Sequence, residues 1–218
     1  DSLFVIDDGN ASNQIQVEVT GMNIHGASAD GVENTLGGAI QNHEALNLNG
    51  VIIQNSEAQQ GGAIWNDVDA KLVIESSKFI GNSAIEGGAI YNNGGEVYIN
   101  DSYFSDNIAL DGAAVSSVNT DTSTAYLEIN DSVFDGNTNI GEHASTIYSE
   151  GISIQTGIEL LNDSTLDLNL SEGNNVIFIN SDTKGLDTIL SQIGDNAKVV
   201  LFDGKGFDQI TEYLKNNQ

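Results

Sequence analysis

The 218-residue sequence contains no cysteine and no proline, and all six of its basic residues are lysines, so arginine is missing too. Without cysteine the chain has no disulfide scaffold, no thiolate metal site and no thiol catalysis, although this does not fix its cellular compartment. A pectate lyase needs an arginine or lysine to take a proton beside a uronate carboxylate. The scattered lysines make that activity a poor candidate.

Positive charge is also scarce. The sequence has 32 acidic residues and six lysines, which gives a net charge of −26 at pH 7. Affinity for nucleic acids and anionic lipids comes from Lys and Arg that displace counterions. We therefore expect no nucleic-acid partner. No run approaches the roughly 20 apolar residues of a membrane helix, so we expect no direct insertion of this chain into a membrane. Residues 1–4 lack the features of a signal peptide, which predicts a cytosolic chain or a trimmed mature fragment.

The dominant positive feature is an internal repeat, Gly-Gly-Ala-Ile-x-Asn, at residues 37–42, 61–66 and 87–92. Degenerate copies of the motif occupy residues 112–117 and 144–149. The central apolar residues follow one another at intervals of 24, 26, 25 and 32 residues: Ile40, Ile64, Ile90, Val115 and Ile147. A repeat of this length is typical of solenoids, in which each unit packs against its neighbours.

A second motif, Ser-x-Phe-x-x-Asn, keeps a constant phase with the first, at residues 77–82, 102–107 and 132–137. Ahead of each copy, apolar residues two apart indicate a strand with one buried face, as at Leu72 and Ile74. Each repeat therefore supplies about three short strands. Residues 10–150 show no apolar period of 3.6, which argues against helical solenoids. We predict an all-β, right-handed parallel β-helix of about 25 residues per coil.

The motif residues have structural roles in such a fold. Ile40 and its counterparts should lie in the core, and Phe79, Phe104 and Phe134 should form an aromatic stack. The Asn that ends the first motif suits a left-handed backbone position at a turn, and its repetition predicts an amide ladder. In the first coil, Met22 and Ile24 occupy core register.

The two motifs in alternation resemble the polymorphic outer membrane proteins of chlamydiae and the wider group of autotransporter passengers and adhesin-like proteins. The resemblance covers residues 37 to about 149. It implies a right-handed β-helix on a cell surface, in a protein that is outer membrane-anchored or secreted. It also implies adhesion, with no particular receptor.

From residue 150 the pattern changes. We predict a β-helix domain over residues 1–180 and a partly helical C-terminal cap over residues 181–218, which would cover exposed strand edges. Within the cap, apolar spacing predicts helical turns at 185–193 and 207–214 and a strand at 198–202. The alternative is that this segment is an insertion in a longer stack.

Enzymatic and metal chemistry find little support in the sequence. Asp101 and Asp131 occupy equal positions in successive coils, which favours turn residues over a glycosidase pair. The histidines His25, His43 and His143 lie in different registers and predict no metal cluster. We therefore predict no enzymatic activity and no cofactor.

Two acidic segments are candidate calcium sites. These segments, Asp7-Asp8-Gly9-Asn10 and Asp67-Val68-Asp69, offer oxygen ligands. Diffuse attraction of cations by the acidic surface is favoured over a specific calcium site.

Binding residues should lie where the repeat varies and the side chain points outward. At the variable position of the first motif these are Gln41, Trp65, Tyr91, Ser116 and Tyr148, hereafter the motif column. Tyr98 and Tyr103 are further outward candidates on other faces. Exposed aromatic residues on a rigid sheet suit sugar rings or a protein hot spot. Alternatively, Trp65 and Tyr91 shield a strand junction or pack under a loop.

Three functions follow. The favoured one is a surface adhesin that binds a host protein receptor or a cell-surface glycan through its lateral faces. A glycoside hydrolase or tailspike-like β-helix, and a structural stalk, are the alternatives. The acidic sides should also self-associate when a cation or low pH masks their repulsion.

Overall fold

The structure is a computed structural model. It describes residues 2–10, 14–28, 35–141, 145–156, 158–161, 166–167, 176–180 and 198–202. The first strands are β1 (Phe4–Ile6), β2 (Gln16–Thr20), β3 (Asn23–His25), β4 (Ile40–Asn42), β5 (Ala45–Asn49), β6 (Ile52–Gln54), β7 (Ile64–Asn66), β8 (Lys71–Glu75), β9 (Lys78–Ile80), β10 (Ile90–Asn93), β11 (Glu96–Asn100) and β12 (Tyr103–Ser105). They continue as β13 (Ile108–Ala109), β14 (Val115–Val118), β15 (Tyr126–Asn130), β16 (Val133–Asp135), β17 (Thr138–Asn139), β18 (Ile147–Ser149), β19 (Ile152–Thr156), β20 (Glu159–Leu161), β21 (Leu166–Asp167), β22 (Val176–Asn180) and β23 (Lys198–Phe202). No helix occurs among the described residues.

The strands form a parallel β-solenoid, as the repeat predicts. Sheet A has the order β1-β4-β7-β10-β14-β18-β21, and sheet B has the order β2-β5-β8-β11-β15-β19-β22-β23. Sheet C joins β3, β6, β9, β12, β16 and β20 in chain order, and β13 pairs with β17. Each coil thus contributes one strand to each main sheet. A given strand pairs in parallel with its counterpart one coil away, as Ile64 does with Ile90.

Equivalent residues stack in the core because the strand register pairs the same motif position in adjacent coils. Ile40, Ile64, Ile90, Val115 and Ile147 are partners along sheet A, and all are buried. In sheet C the rings of Phe79 and Phe104 lie 4.8 Å apart at 8°. Those of Phe104 and Phe134 lie 4.9 Å apart at 11°. The predicted aromatic stack is confirmed.

An amide ladder runs along the end of the first motif. Asn42 Nδ2 donates to Asn66 Oδ1 at 2.8 Å, and Asn66 Nδ2 donates to Asn92 Oδ1 at 2.9 Å. Asn92 Nδ2 donates to Ser117 Oγ at 3.0 Å. The ladder is confirmed, but the predicted left-handed backbone is wrong. These asparagines lie within β4, β7 and β10 and point inward, whereas positive φ angles occur at turn residues such as Asp101 and Asp131.

The second motif builds two further ladders beyond the predicted one, made of Asn amides and of Ser hydroxyls. Asn82 Nδ2 donates to Asn107 Oδ1 at 3.0 Å, and Asn107 Nδ2 donates to Asn137 Oδ1 at 2.8 Å. The serine hydroxyls work similarly, since Ser102 Oγ accepts the backbone N–H of Ser77 at 3.1 Å. The Ser and Asn of the motif therefore satisfy buried backbone groups at the turns around the buried Phe.

The two ends of the chain give mixed outcomes. Ile24 is buried as predicted, but Met22 is 38% exposed beside the apolar opening at the N-terminal rung. Met22 lines this opening together with Ile24 and Leu48, in agreement with core register, but it is not buried. The strand predicted at 198–202 is present as β23 and adds a rung to sheet B. The helical turns at 185–193 and 207–214 lie outside the described residues, so the cap remains a prediction.

Candidate functional site: the lateral faces of the solenoid

The motif column lies on the outer side of sheet A, yet most of it is covered. Trp65 and Tyr91 are only 6% and 7% exposed, and Ser116 is 1% exposed. Gln41 and Tyr148 are half-buried. The expectation that Trp65 and Tyr91 are exposed is therefore wrong, and the alternative in which they pack beneath their surroundings describes them better. Their role in binding remains a prediction.

Neighbouring rungs and flanking turns cover this column. The His43 ring lies edge-on to Trp65, with ring centroids 5.4 Å apart, and His43 Nδ1 lies 2.7 Å from Asp67 Oδ2. Trp65 Nε1 is buried and has no hydrogen-bond partner among the residues that the structure describes. Burial raises the pKa of Tyr91, and so do the negative charges of Glu86 and Glu150. Trp65 and Tyr91 are thus covered by neighbouring groups, and acidic residues lie near Tyr91.

The ends of the column are anchored to the solenoid itself. Gln41 Nε2 donates to the carbonyl of Leu36 at 2.9 Å. Tyr148 donates its hydroxyl to Glu150 Oε1 at 2.8 Å. Trp65 and Tyr91, which are buried, are therefore less suited to contact a partner than the half-buried Tyr98 and Tyr126 of sheet B.

Sheet B carries a more accessible aromatic pair, formed by Tyr98 on β11 and Tyr126 on β15. Their ring centroids lie 5.2 Å apart at 40°, and both side chains are half-buried. Together with Lys71, Glu96 and Glu128 they form a surface that we call the tyrosine face. Glu96 is the register partner of both Lys71 and Tyr126, and Glu128 is the partner of Tyr98.

Polar contacts hold the tyrosine face in one arrangement. Tyr98 donates its hydroxyl to Glu96 Oε2 at 3.1 Å, and Tyr126 donates to Glu128 Oε2 at 2.8 Å. Asn130 Nδ2 donates to the other oxygen of Glu128 at 2.9 Å. Lys71 Nζ lies 4.5 Å from the Tyr98 ring centroid and 3.9 Å from Glu96 Oε2.

Tyr126 was missed as a candidate, although a signal for it exists. Leu127 and Ile129 are apolar residues two apart, like Leu72 and Ile74, and alternation then places Tyr126 and Glu128 outward. The structure buries Leu127 and Ile129 and leaves Tyr126 half-exposed. Applying the alternation rule to the flanking positions of every strand would have found it.

The remaining candidate, Tyr103, is separate from both sites. It lies on β12 in sheet C and donates its hydroxyl to Asp135 Oδ2 at 2.9 Å. That hydrogen bond, followed by burial and the charge of Asp135, raises its pKa. Tyr103 is half-buried and stands apart from the paired rings of sheet B. It therefore serves as a matched tyrosine outside the tyrosine face.

The raised pKa of Tyr98 predicts a pH dependence. Burial, followed by the charge and hydrogen bond of Glu96, raises this pKa to about 12. A folded-state pKa above the unfolded value of about 10 gives a stabilisation that is complete below pH 10. It is lost as pH rises from 10 toward 12. We expect the free energy of unfolding of the parent protein to fall across that window. The free energy of unfolding of Tyr98→Phe should fall less steeply.

Urea unfolding at a series of alkaline pH values measures this effect, with tyrosinate absorbance reporting ionisation of the folded protein. Tyr126 should also ionise late, because burial and Glu128 raise its pKa. Parallel slopes for the parent protein and Tyr98→Phe would contradict the prediction.

One group of carboxylates coincides in part with the predicted calcium sites. Asp7, Asp8 and Glu44 have ligand oxygens within 4.8 Å of one another. Glu44 is buried, and its carboxylate accepts the backbone N–H groups of Asp8 at 3.3 Å and Ile15 at 2.9 Å. The second predicted segment lies elsewhere, with Asp67 paired to His43. A specific calcium site remains a prediction from the sequence.

Two histidines have described surroundings. His25 is exposed on β3, with Nε2 lying 3.1 Å from Asn55 Nδ2, whereas His43 is half-buried beside Asp67. His143 lies outside the described residues. Within the part of the chain that the structure describes, no helix is long and apolar enough to span a bilayer.

Comparison with known proteins gives one family match. The model of the Chlamydia polymorphic membrane protein repeat matches residues 76–93. That segment contains one complete copy of each motif and spans β9 and β10 in the middle of the solenoid. No curated protein and no solved structure matches the chain. The resemblance drawn from the two motifs is thereby confirmed, and the chain carries a repeat of the Chlamydia polymorphic membrane protein type within a parallel β-solenoid.

Proposed function

We propose that this chain is part of a surface adhesin-like passenger that binds a ligand of a host or neighbouring cell through the lateral face of sheet B. The polymorphic membrane protein repeat and the solenoid fit such a passenger and support a location at the cell surface, either anchored or secreted. The observation that carries the proposal is the tyrosine face. It presents two accessible aromatic rings on a rigid sheet.

The physical argument rests on preorganisation. Binding costs free energy for each side chain that must be ordered, and rings already held by neighbours avoid much of that cost. Tyr98 and Tyr126 have their hydroxyls held by Glu96 and Glu128, and they pack against each other. Tyrosine combines a large apolar body with a polar tip and is enriched at binding hot spots. The tyrosine face therefore meets the physical needs of an adhesive surface.

A cell-binding assay tests the proposal. Labelled protein is titrated onto host cells and onto arrays of host proteins and glycans, using the parent protein and the double variant Tyr98→Ala/Tyr126→Ala. We expect the double variant to bind about tenfold more weakly or worse, which corresponds to about 1.4 kcal/mol of binding free energy. Circular dichroism verifies that the variant keeps its β structure.

Tyr103→Ala is the matched control, because it removes a half-buried tyrosine from sheet C and leaves the tyrosine face intact. It should bind like the parent protein. Equal binding by all three proteins would refute the role of the tyrosine face. Binding of none of them to any cell or array would favour a structural stalk.

A further inference from the structure

The tyrosine face already holds one cation, which belongs to the chain itself. The Lys71 ammonium lies over the Tyr98 ring, 4.5 Å from its centroid, and 3.9 Å from a carboxylate oxygen of Glu96. An aromatic face attracts a cation through its quadrupole, and a nearby carboxylate supplies the opposite charge. Tyr98 and Glu96 therefore form a seat for an ammonium or guanidinium group.

The same pair of groups recurs one rung along the sheet. Tyr126 is hydrogen-bonded to Glu128 at 2.8 Å, as Tyr98 is to Glu96. Among the described residues, the structure places only Lys71 over an aromatic ring. The Tyr126–Glu128 pair thus has the components of the first seat without a cation from the described part of the chain.

The charge around the tyrosine face also favours a cationic ligand. Glu18 and Glu75 lie on the outward side of the same sheet, along with Glu96 and Glu128. Lys71 is the one basic residue on strands β2, β5, β8, β11 and β15, and the whole chain has a net charge of −26. Such a surface attracts a basic partner and repels an acidic sugar. A neutral sugar would stack on the rings without gaining from the carboxylates' charge.

We propose that the tyrosine face binds a basic segment of a partner protein, with an arginine or lysine side chain seated between the Tyr126 ring and the Glu128 carboxylate. This inference rests on the proposed adhesive function and names the class of its ligand. Lys71 has a second role here, because it occupies the Tyr98 seat and repels an incoming cation. The sign of its effect on affinity therefore identifies the ligand's charge.

The test uses a synthetic peptide of alternating lysine and glycine, with binding followed by fluorescence anisotropy in moderate salt. Lys71→Gln should bind the peptide about threefold more tightly than the parent protein, since cation–π contacts at exposed sites have effects of this size. Lys78→Gln is the matched control. It removes one positive charge as well, but from an exposed position on β9 in sheet C. It should change affinity less, because salt screens charges beyond about 8–10 Å.

The Tyr126 seat is tested separately. Tyr126→Leu should weaken peptide binding about threefold or more, whereas Tyr126→Phe keeps the ring and should retain most of the affinity. Equal affinities for Lys71→Gln and Lys78→Gln, or full binding by Tyr126→Leu, would overturn the proposal and leave only general charge attraction.

Failure of the basic-ligand proposal can be distinguished from failure of the adhesive function. If cells bind the protein through Tyr98 and Tyr126 but the peptide does not compete, the basic-ligand proposal falls and the adhesive function stands. Competition by a neutral glycan in place of the peptide would likewise overturn the ligand class alone. If the double tyrosine variant binds cells normally, both the adhesive function of this face and the basic-ligand proposal are refuted.

Discussion

Phe104→Ala is expected to lower the free energy of unfolding by about 3–5 kcal/mol. Phe104 is fully buried and is the middle ring of three, with neighbours at 4.8 Å and 4.9 Å. Its removal takes away contacts with the coils on both sides. In a solenoid each coil is stabilised chiefly by its neighbours, so one cavity weakens two interfaces. Urea unfolding followed by circular dichroism measures the change.

Tyr103→Ala is the control for this experiment, because it changes the adjacent residue of the same strand on its outer side. Tyr103 is half-buried, and its loss should cost about 1 kcal/mol. A cost for Phe104→Ala no greater than that for Tyr103→Ala would mean that the aromatic stack contributes little to the core.

The sequence predicts the core so well because parallel in-register stacking imposes the same chemistry on every rung. A ladder of side-chain hydrogen bonds needs a polar group at one position of successive coils, which is Asn at 42, 66 and 92 and Ser at 117. Aromatic stacking likewise requires Phe opposite Phe. A repeat in the sequence is therefore a direct record of contacts between coils, and two repeats in constant phase determine the arrangement of the strands.

Exposure of the motif column could not be predicted in the same way. Alternation along a strand determines which side of the sheet a residue faces, but not what covers that side. Rungs lie about 4.8 Å apart, so large side chains at consecutive rungs shield one another. Trp65 has Gln41 and Tyr91 as register partners and His43 at its edge, which leaves it 6% exposed.

The backbone of the motif Asn shows a second limit. Asn tolerates left-handed conformations, and that propensity suggested a turn. In this motif the ladder overrides the propensity, because Asn42, Asn66 and Asn92 lie in strands from which their amides reach the counterparts in adjacent coils. The left-handed positions fall instead to Ser76, Asp101 and Asp131, which follow the strands of sheet B.

The acidic cluster shows why long-range pairing matters for a candidate site. Asp7 and Asp8 were named from the sequence, but Glu44 was not. Glu44 follows β4, which pairs in parallel with β1 and so brings residues far apart in sequence together. The same cause produces the tyrosine face, where Tyr98 and Tyr126 come from successive coils.

Gly62→Ala is expected to destabilise the solenoid by about 3 kcal/mol or more, at the upper end of the cost of overpacking. A Cβ atom at Gly62 would lie 2.2 Å from the carbonyl oxygen of Gly88 and 2.5 Å from that of Ser83. Both are backbone atoms of the next coil, so relief requires the coils to move apart rather than a side chain to rotate. Separating them would strain the hydrogen bond from Gly62 N to the carbonyl of Gly87, 3.1 Å long. Urea unfolding and hydrogen exchange of this coil measure the effect.

Gly50→Ala separates this close approach from ordinary backbone strain. Gly50 has a φ of +62°, which costs a non-glycine residue about 1–2 kcal/mol, but a Cβ there would have no atom within 4 Å. Gly62 has the opposite combination, with no left-handed φ and severe crowding. A larger loss for Gly62→Ala would show that the second Gly of Gly-Gly-Ala-Ile-x-Asn is required by the distance between coils. A loss no larger than that for Gly50→Ala would show that the coils can separate at little cost, and the motif would then need another explanation.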